Sequence, residues 1–382
     1  MIPPLDESGF LEDNAVAIAE VAVIILAVLT VYLIIVSVWV RVNNLRTERR
    51  IDQTKERLYP FIFAFMEEGK SREVVVEQIK NEEDLIVLEE MIFEYMDLLD
   101  GKEIITLQEL LAVPRLLDYR QKQLYSRDSE DQVQACYYFR NLSEQSAEVQ
   151  KRLFKLLNHS ETLVIHSAAV ALLANSDVHV RERTFRYIAR HYAFSRMAML
   201  ELMHEFIQQD SDQLEEEEEA LKRLMQDPNI NARNLAVIAE CIADINFYML
   251  ADYIYDFYLN HQRTDPEGEL RQSLIYVLGR FEYLSAAESI ARQQADSRYE
   301  GIRKASAFAL GRMNATDYLD VLEKLARDPV FSVQIEAVKA LARCGDSGVQ
   351  MLKQLTEQEG HLQFIANDML NRLNKRNVTE AA

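Results

Sequence analysis

The ten residues Ile302-Arg303-Lys304-Ala305-Ser306-Ala307-Phe308-Ala309-Leu310-Gly311 return 31 residues later as Val333-Gln334-Ile335-Glu336-Ala337-Val338-Lys339-Ala340-Leu341-Ala342. Leu270-Arg271 with Leu278-Gly279 form a third copy, 32 residues upstream of the first. Weaker copies lie at Val164 to Leu172, from Ala232-Arg233 onward, and at Val133-Gln134. A period of this size means one supersecondary unit stacked on itself, because a single unit cannot bury its own apolar face. Apolar residues recur at helical spacing, as in Leu85, Leu88, Ile92, Tyr95 and Leu99. Only 10 Gly and 7 Pro punctuate 382 residues, well below the usual proportions of about 7% and 5%. Strand-and-turn architectures need more. The pattern predicts an all-α chain with a repeat solenoid.

Asp227-Pro228 and Asp328-Pro329 open two of the units, and Asp296 stands in the equivalent place of a third. These residues resemble the HEAT family, in particular the bacterial type with the signature D-P-x-x-x-V-R-x-x-A-x-x-A-L-G-x-x-G. The resemblance spans about 267–357, fades over 120–245 and is absent before about 115. It implies a HEAT-like α-solenoid over 119–373, a right-handed superhelix of helix pairs in which one helix of each pair lines a concave surface. It also implies that an aspartate and arginine form ladders between repeats, which makes Arg271 and Arg303 structural. Residues 192–225 and 246–268 depart from the repeat. A last helix over 361–373 keeps an apolar stripe (Leu362, Ile365, Met369, Leu373) that caps the stack, and 374–382 reads as a disordered tail.

Upstream, Val21 to Val40 is a run of twenty uncharged residues. A hydrocarbon core of about 30 Å needs roughly 20 apolar residues of helix, so the stretch is long enough to span a bilayer. Trp39 sits at one end, where amphipathic rings favour the headgroup zone. The flanks differ: residues 1–14 carry Asp6, Glu7, Glu12 and Asp13, whereas Arg41, Arg46, Arg49, Arg50, Lys55 and Arg57 follow the run. The positive-inside rule then places the N-terminus outside and residues 41–382 in the cytoplasm. The expected order is a short acidic non-cytoplasmic tail (1–14), a transmembrane helix (15–40, anchored by Val21, Trp39, Val40 and Arg41) and a basic juxtamembrane helix (41–57). An acidic helical segment (58–118) and the solenoid follow. A cleavable signal would want a basic leading region and a shorter apolar core.

Chemistry is sparse. The net charge of −20 repels phosphate backbones, so nucleic acid is not an expected partner, unlike the helical-repeat DNA glycosylases that share this repeat type. Deoxyhypusine hydroxylase, another HEAT-like protein, needs several His-Glu pairs for its irons, and this chain has one, His204-Glu205. Cys136, Cys241 and Cys344 have no metal-ligand spacing, and no GxSxG, phosphate-cradling glycine loop or HExxH is present. The expectation is no catalytic, cofactor or metal site. A bilin-lyase-like or other small-molecule enzyme on the same scaffold is the alternative.

Two surfaces are candidates for protein contact. Residues 67–103 hold thirteen carboxylates against four basic side chains, which read either as a solvated helical face or as a docking surface for a basic loop through Glu82, Glu83, Glu89 and Glu90. The stretch 247–258 holds six aromatic rings, of which Tyr248 and Tyr255 fall on a flank of the helix. Packing against the next repeat competes with recognition there. The reading at this level is a single-pass inner-membrane scaffold whose cytoplasmic solenoid binds a membrane-associated protein, for instance in envelope-polysaccharide synthesis or secretion. A homo-oligomer through the span has only Ala15 and Ala19 in its favour.

Overall fold

The computed structural model describes residues 7–99, 101–142, 144–193, 195–207, 213–261, 265–357 and 360–380. In the first helix side chains are described from residue 23, and in the last up to residue 375. All regular structure among the described residues is helical, and the chain forms two compact units, Met1–Tyr119 and Arg120–Ala382.

The first unit is organised by one helix, Glu7–Glu68. Its apolar stretch reaches a mean hydropathy of 2.9 and packs against nothing, and it is long and apolar enough to cross a membrane. Val40, Trp39 and Arg41 are exposed, while the side chain of Val21 lies outside the described residues, as do those of Ala15 and Ala19. The helix then acquires a buried stripe, Leu58, Ile62 and Phe65, one and two turns apart, which meets Leu85, Leu88 and Ile92 of the helix Glu82–Met96. The stripe Ile51, Leu58, Ile62 and Phe65 suggests a continuous or nearly continuous helix with Pro60 near the start of its packed part, and the helix does run through Pro60, giving up one backbone hydrogen bond. The helix ends at Gly69, whose φ of 64° is left-handed. Lys102–Leu111 and Pro114–Gln123 complete the sequence of helices to the boundary.

The second unit is two rows of helices. One row, here the inner, stacks Ser129–Arg140, Thr162–Leu173, Arg196–Phe206, Ala232–Asp244, Glu269–Arg280, Glu300–Arg312, Phe331–Arg343 and His361–Glu380 side by side. The outer row alternates with it: Ala147–Leu156, Val178–His191, Leu214–Gln226, Ala251–Asn260, Ala287–Gln293, Leu319–Ala326 and Gly345–Thr356. This is an α-solenoid. Arg196–Phe206 keeps its place in the inner row and Leu214–Gln226 packs on the preceding outer helix Val178–His191, although the sequence there has lost the signature. The closing helix continues to Glu380, where the sequence suggests a disordered tail from 374, and residues 381–382 lie outside the described ones.

Small residues set the spacing of the inner row. A Cβ added to Gly279 would lie 2.6 Å from the Ala309 Cα, and one on Gly311 would lie 2.5 Å from the Ala340 Cα. These helices therefore touch backbone to backbone. Three successive inner helices also end alike. Phe247, Tyr283 and Ala315 donate their N–H groups to Ile242, Leu278 and Leu310 at 3.1, 3.0 and 3.0 Å. The residue before each donor is left-handed: Asn246, Glu282 and Asn314, with φ of 57°, 53° and 49°. This is the Schellman cap, and it occupies the second glycine position of L-G-x-x-G with residues that are not glycine.

Ion pairs tie neighbouring units together. Arg303 grips Asp328, the aspartate opening the next repeat, through Nε–Oδ2 at 2.6 Å and Nη2–Oδ1 at 2.9 Å, while Nη1 holds the Ser297 carbonyl at 2.9 Å. Arg271 differs. Its backbone N–H and that of Leu270 bond Asp265, at 3.0 and 3.4 Å, and its guanidinium lies 5.8 Å from the Tyr258 ring centre. In the outer row Arg181 and Glu217 pair at 2.5 Å with both side chains fully buried.

Candidate functional site

Because Gly279 and Gly311 remove the side chains that would hold the helices apart, residues one turn earlier come together on the open side of the inner row. The Tyr276 and Phe308 rings stack at 4.9 Å with 22° between their planes. Gln272 lies across Gly301, where a Cβ would come within 1.9 Å of its Oε1. These residues, with Arg196, Glu240, Lys304 and Glu336, line a groove of about 420 Å³ running over five consecutive inner helices.

Charge divides the groove. On one side Arg196 reaches Asp244 through Nη2 at 2.6 Å and Glu240 through Nη1 at 3.3 Å, and the Ser273 hydroxyl donates to Glu240 at 2.6 Å. Burial works against the charge on Arg196, but its two carboxylates outweigh that and raise its pKa. Two anions against one cation leave this end negative. On the other side Lys304 is exposed and has no carboxylate within ion-pair distance among the described residues. Glu336, largely buried, keeps Lys339 at 3.3 Å. A ridge of two rings between opposite charges suits an extended polypeptide, which offers apolar side chains and charges at regular intervals.

Nucleophiles are not part of the groove. Burial pushes the Cys136 and Cys241 thiols up to about 12 and raises Cys344 as well. No group of three or more His, Cys, Asp or Glu that could hold a metal occurs among the described residues.

The residues singled out from sequence lie elsewhere. Tyr248 and Tyr255 belong to the outer row. Tyr248 is 56% exposed and meets Phe281 with ring centres 4.9 Å apart, while Tyr255 is half-buried against Tyr258 and Tyr283, at 6.3 and 5.3 Å. Both thus touch the following inter-helix turn. The four glutamates are in the first unit. Glu83 pairs with Arg50 at 3.4 Å, Glu90 shares Lys55 with Glu94 at 3.6 and 2.7 Å, Glu89 is only 3% exposed, and Glu82 is exposed. The basic residues Arg50 and Lys55 and the acidic helix thus partner each other to a large extent. Asp84 completes the set: it takes Arg57 Nη2 at 2.7 Å and the Lys80 N–H at 2.8 Å. Burial raises its pKa, and these donors more than reverse that. The groove residues Gln272, Tyr276, Lys304 and Phe308 carry no such charge or ring run to draw the eye. Their signal is subtler: Tyr276 and Phe308 are equivalent positions of two aligned repeats, as are Gln272 and Lys304.

The HEAT repeats family profile matches residues 256–342 and 289–362. Over residues 256–362 the chain is thus similar to HEAT repeats. No curated protein matches the sequence. Among solved structures, an engineered protein is similar at 16% identity with a TM-score of 0.33, covering 84% of this chain and 99% of its own. A designed armadillo repeat protein is similar at 17% with a TM-score of 0.30, covering 60% and 100%. A computationally designed armadillo repeat protein for modular peptide recognition shows 18% and 0.23, covering 67% and 98%.

Proposed function

We propose that the chain is a membrane-anchored scaffold whose HEAT-type solenoid captures an extended segment of a protein partner in the inner groove. The stacked Tyr276–Phe308 pair between charges of opposite sign is the observation that supports this best. Most polar groups there are committed to one another, which suits binding better than catalysis. The exposed apolar length of the first helix supports an anchor, with the N-terminus outside and the solenoid in the cytoplasm. Tethering raises the effective concentration of a membrane-bound partner toward about millimolar for a short linker, so individual contacts can be weak. A subunit of an envelope-polysaccharide or secretion complex would be a fitting partner.

The test is site-specific photocrosslinking in native membranes, with a photoreactive residue replacing Phe308 in one protein and Tyr248 in another. A discrete adduct from position 308 that is absent at 248, and that disappears with Lys304→Glu, is the expected result. Adducts of equal yield at both positions would remove the groove from consideration. Orientation is tested separately: Asn14→Cys should react with an impermeant maleimide added outside the cell and Asn44→Cys should not, against a background of three buried native thiols.

A further inference from the structure

The outer row carries a second feature that the groove does not use. Helix Val178–His191 sets His179, Arg183, Arg186 and Arg190 along one stripe, four, three and four residues apart. The stripe borders a cleft of about 490 Å³ whose far wall is Phe154 of helix Ala147–Leu156. Arg183 is exposed, and its guanidinium carbon stands 4.3 Å above the Phe154 ring. That cation–π contact holds the head group in one place. No carboxylate lies within ion-pair distance of it among the described residues. Its neighbours are only partly neutralised. Asp227 serves both Arg190, at 2.5 Å, and Arg186, at 3.6 Å, and Glu182 serves Arg186 and Arg223, the latter at 2.7 Å. Along the cleft two carboxylates, Glu182 and Asp227, therefore face three guanidiniums, Arg183, Arg186 and Arg190, while Arg223 draws on Glu182 and feels Glu219 as well. Lys151, one turn before Phe154, adds an exposed amine. In a chain of net charge −20 this is an island of opposite sign.

We infer that this cleft binds an acidic segment of a protein, with two or more carboxylates within about five residues. The length follows from the stripe, because eleven helical residues rise about 16 Å, which an extended chain covers in roughly five. A single oxyanion would satisfy one end and leave the rest. A nucleic acid carries its charge well beyond the stripe and would run onto the acidic remainder of the surface, whereas a short acidic segment ends with it. Arg183 offers a carboxylate a two-pronged, pre-positioned partner, and the Phe154 and Tyr187 rings beside it accept the methylenes of a glutamate. The site lies on the row opposite the groove, so a scaffold of this kind holds two different segments at once.

The experiment uses the full-length protein in nanodiscs of phosphatidylcholine and the fluorescence anisotropy of labelled hexaglutamate and hexaglutamine. Hexaglutamate should bind at least about tenfold more tightly, and Arg183→Glu should abolish that preference, because charge reversal in the middle of the stripe turns attraction for the peptide into repulsion. The melting temperature should not change, since Arg183 is exposed. Lys304→Glu, in the groove, should leave hexaglutamate binding intact. The inference is overturned if the two peptides bind alike, if Arg183→Glu retains the preference, or if Lys304→Glu removes it. Complete displacement by millimolar inorganic phosphate would likewise overturn it in favour of a single-oxyanion site. Binding of anionic vesicles that depends on Arg183, without binding of peptide, would overturn it in favour of a lipid surface.

Discussion

Single residues in the stack differ sharply in what they cost to change. Gly311 has a neighbouring backbone 2.5 Å from where a Cβ would stand, so Gly311→Ala forces two inner helices apart and should cost about 1–3 kcal/mol, read by denaturant titration. Glu282 has the opposite prospect. It holds a left-handed φ of 53°, which costs an L-residue about 1–2 kcal/mol, and its pair with Arg312 is exposed and worth under about 1 kcal/mol. Glu282→Gly should therefore raise the melting temperature. Glu217→Ala would leave Arg181 charged and fully buried, with an expected loss of about 3–5 kcal/mol. The two classes of residue were unequally visible in the sequence. Gly279 and Gly311 stand out because the repeat aligns them. Arg181 and Glu217, 36 residues apart on outer helices, obey no repeat and are paired only by the fold.

At the scale of elements, the first helix and Glu82–Met96 are joined by ion pairs of very different burial. Arg57→Ala strands the buried Asp84 carboxylate and should destabilise the first unit by about 3–5 kcal/mol. Arg50→Ala breaks a pair exposed on both sides and should cost less than about 1 kcal/mol. Comparing the two variants by hydrogen exchange in Glu82–Met96 checks this directly. The stripe Leu58, Ile62 and Phe65 was legible from spacing, and so was the existence of the helix. Its near-continuity across Pro60 followed from the same stripe, but the packing that offsets proline's local cost lies in another helix and is not visible in the sequence. The same reason hides the partners of Glu83 and Glu90. A run of carboxylates reads as a docking face until the arginines and lysine thirty-odd residues earlier are laid beside it.

For the whole molecule, acid sensitivity follows from three aspartates. Asp84, Asp227 and Asp328 feel burial that raises their pKa, yet each ends below the usual 3.8, because Arg57, Arg190 and Arg303 donate to them along with backbone N–H groups. A carboxyl depressed in the folded state lends stability above its unfolded pKa and loses it as pH falls through the folded value. Thermal melts should thus be flat above about pH 5 and decline steeply below about pH 4. The solenoid itself was largely legible, since three aligned repeats dictate their own stacking. The groove was not, because it depends on which side chains meet across helices that the sequence separates by about thirty residues. The two rows also differ in how they would answer a pull along the stack. Inner helices abut backbone to backbone at Gly279 and Gly311, whereas outer helices, apart from the pair Val178–His191 and Leu214–Gln226, pack mainly against their inner neighbours and the turns between them. Under tension such a stack should act as a spring with the glycine seam as its stiff edge. The outer edge should lengthen first, and the Tyr276–Phe308 ridge should keep its spacing.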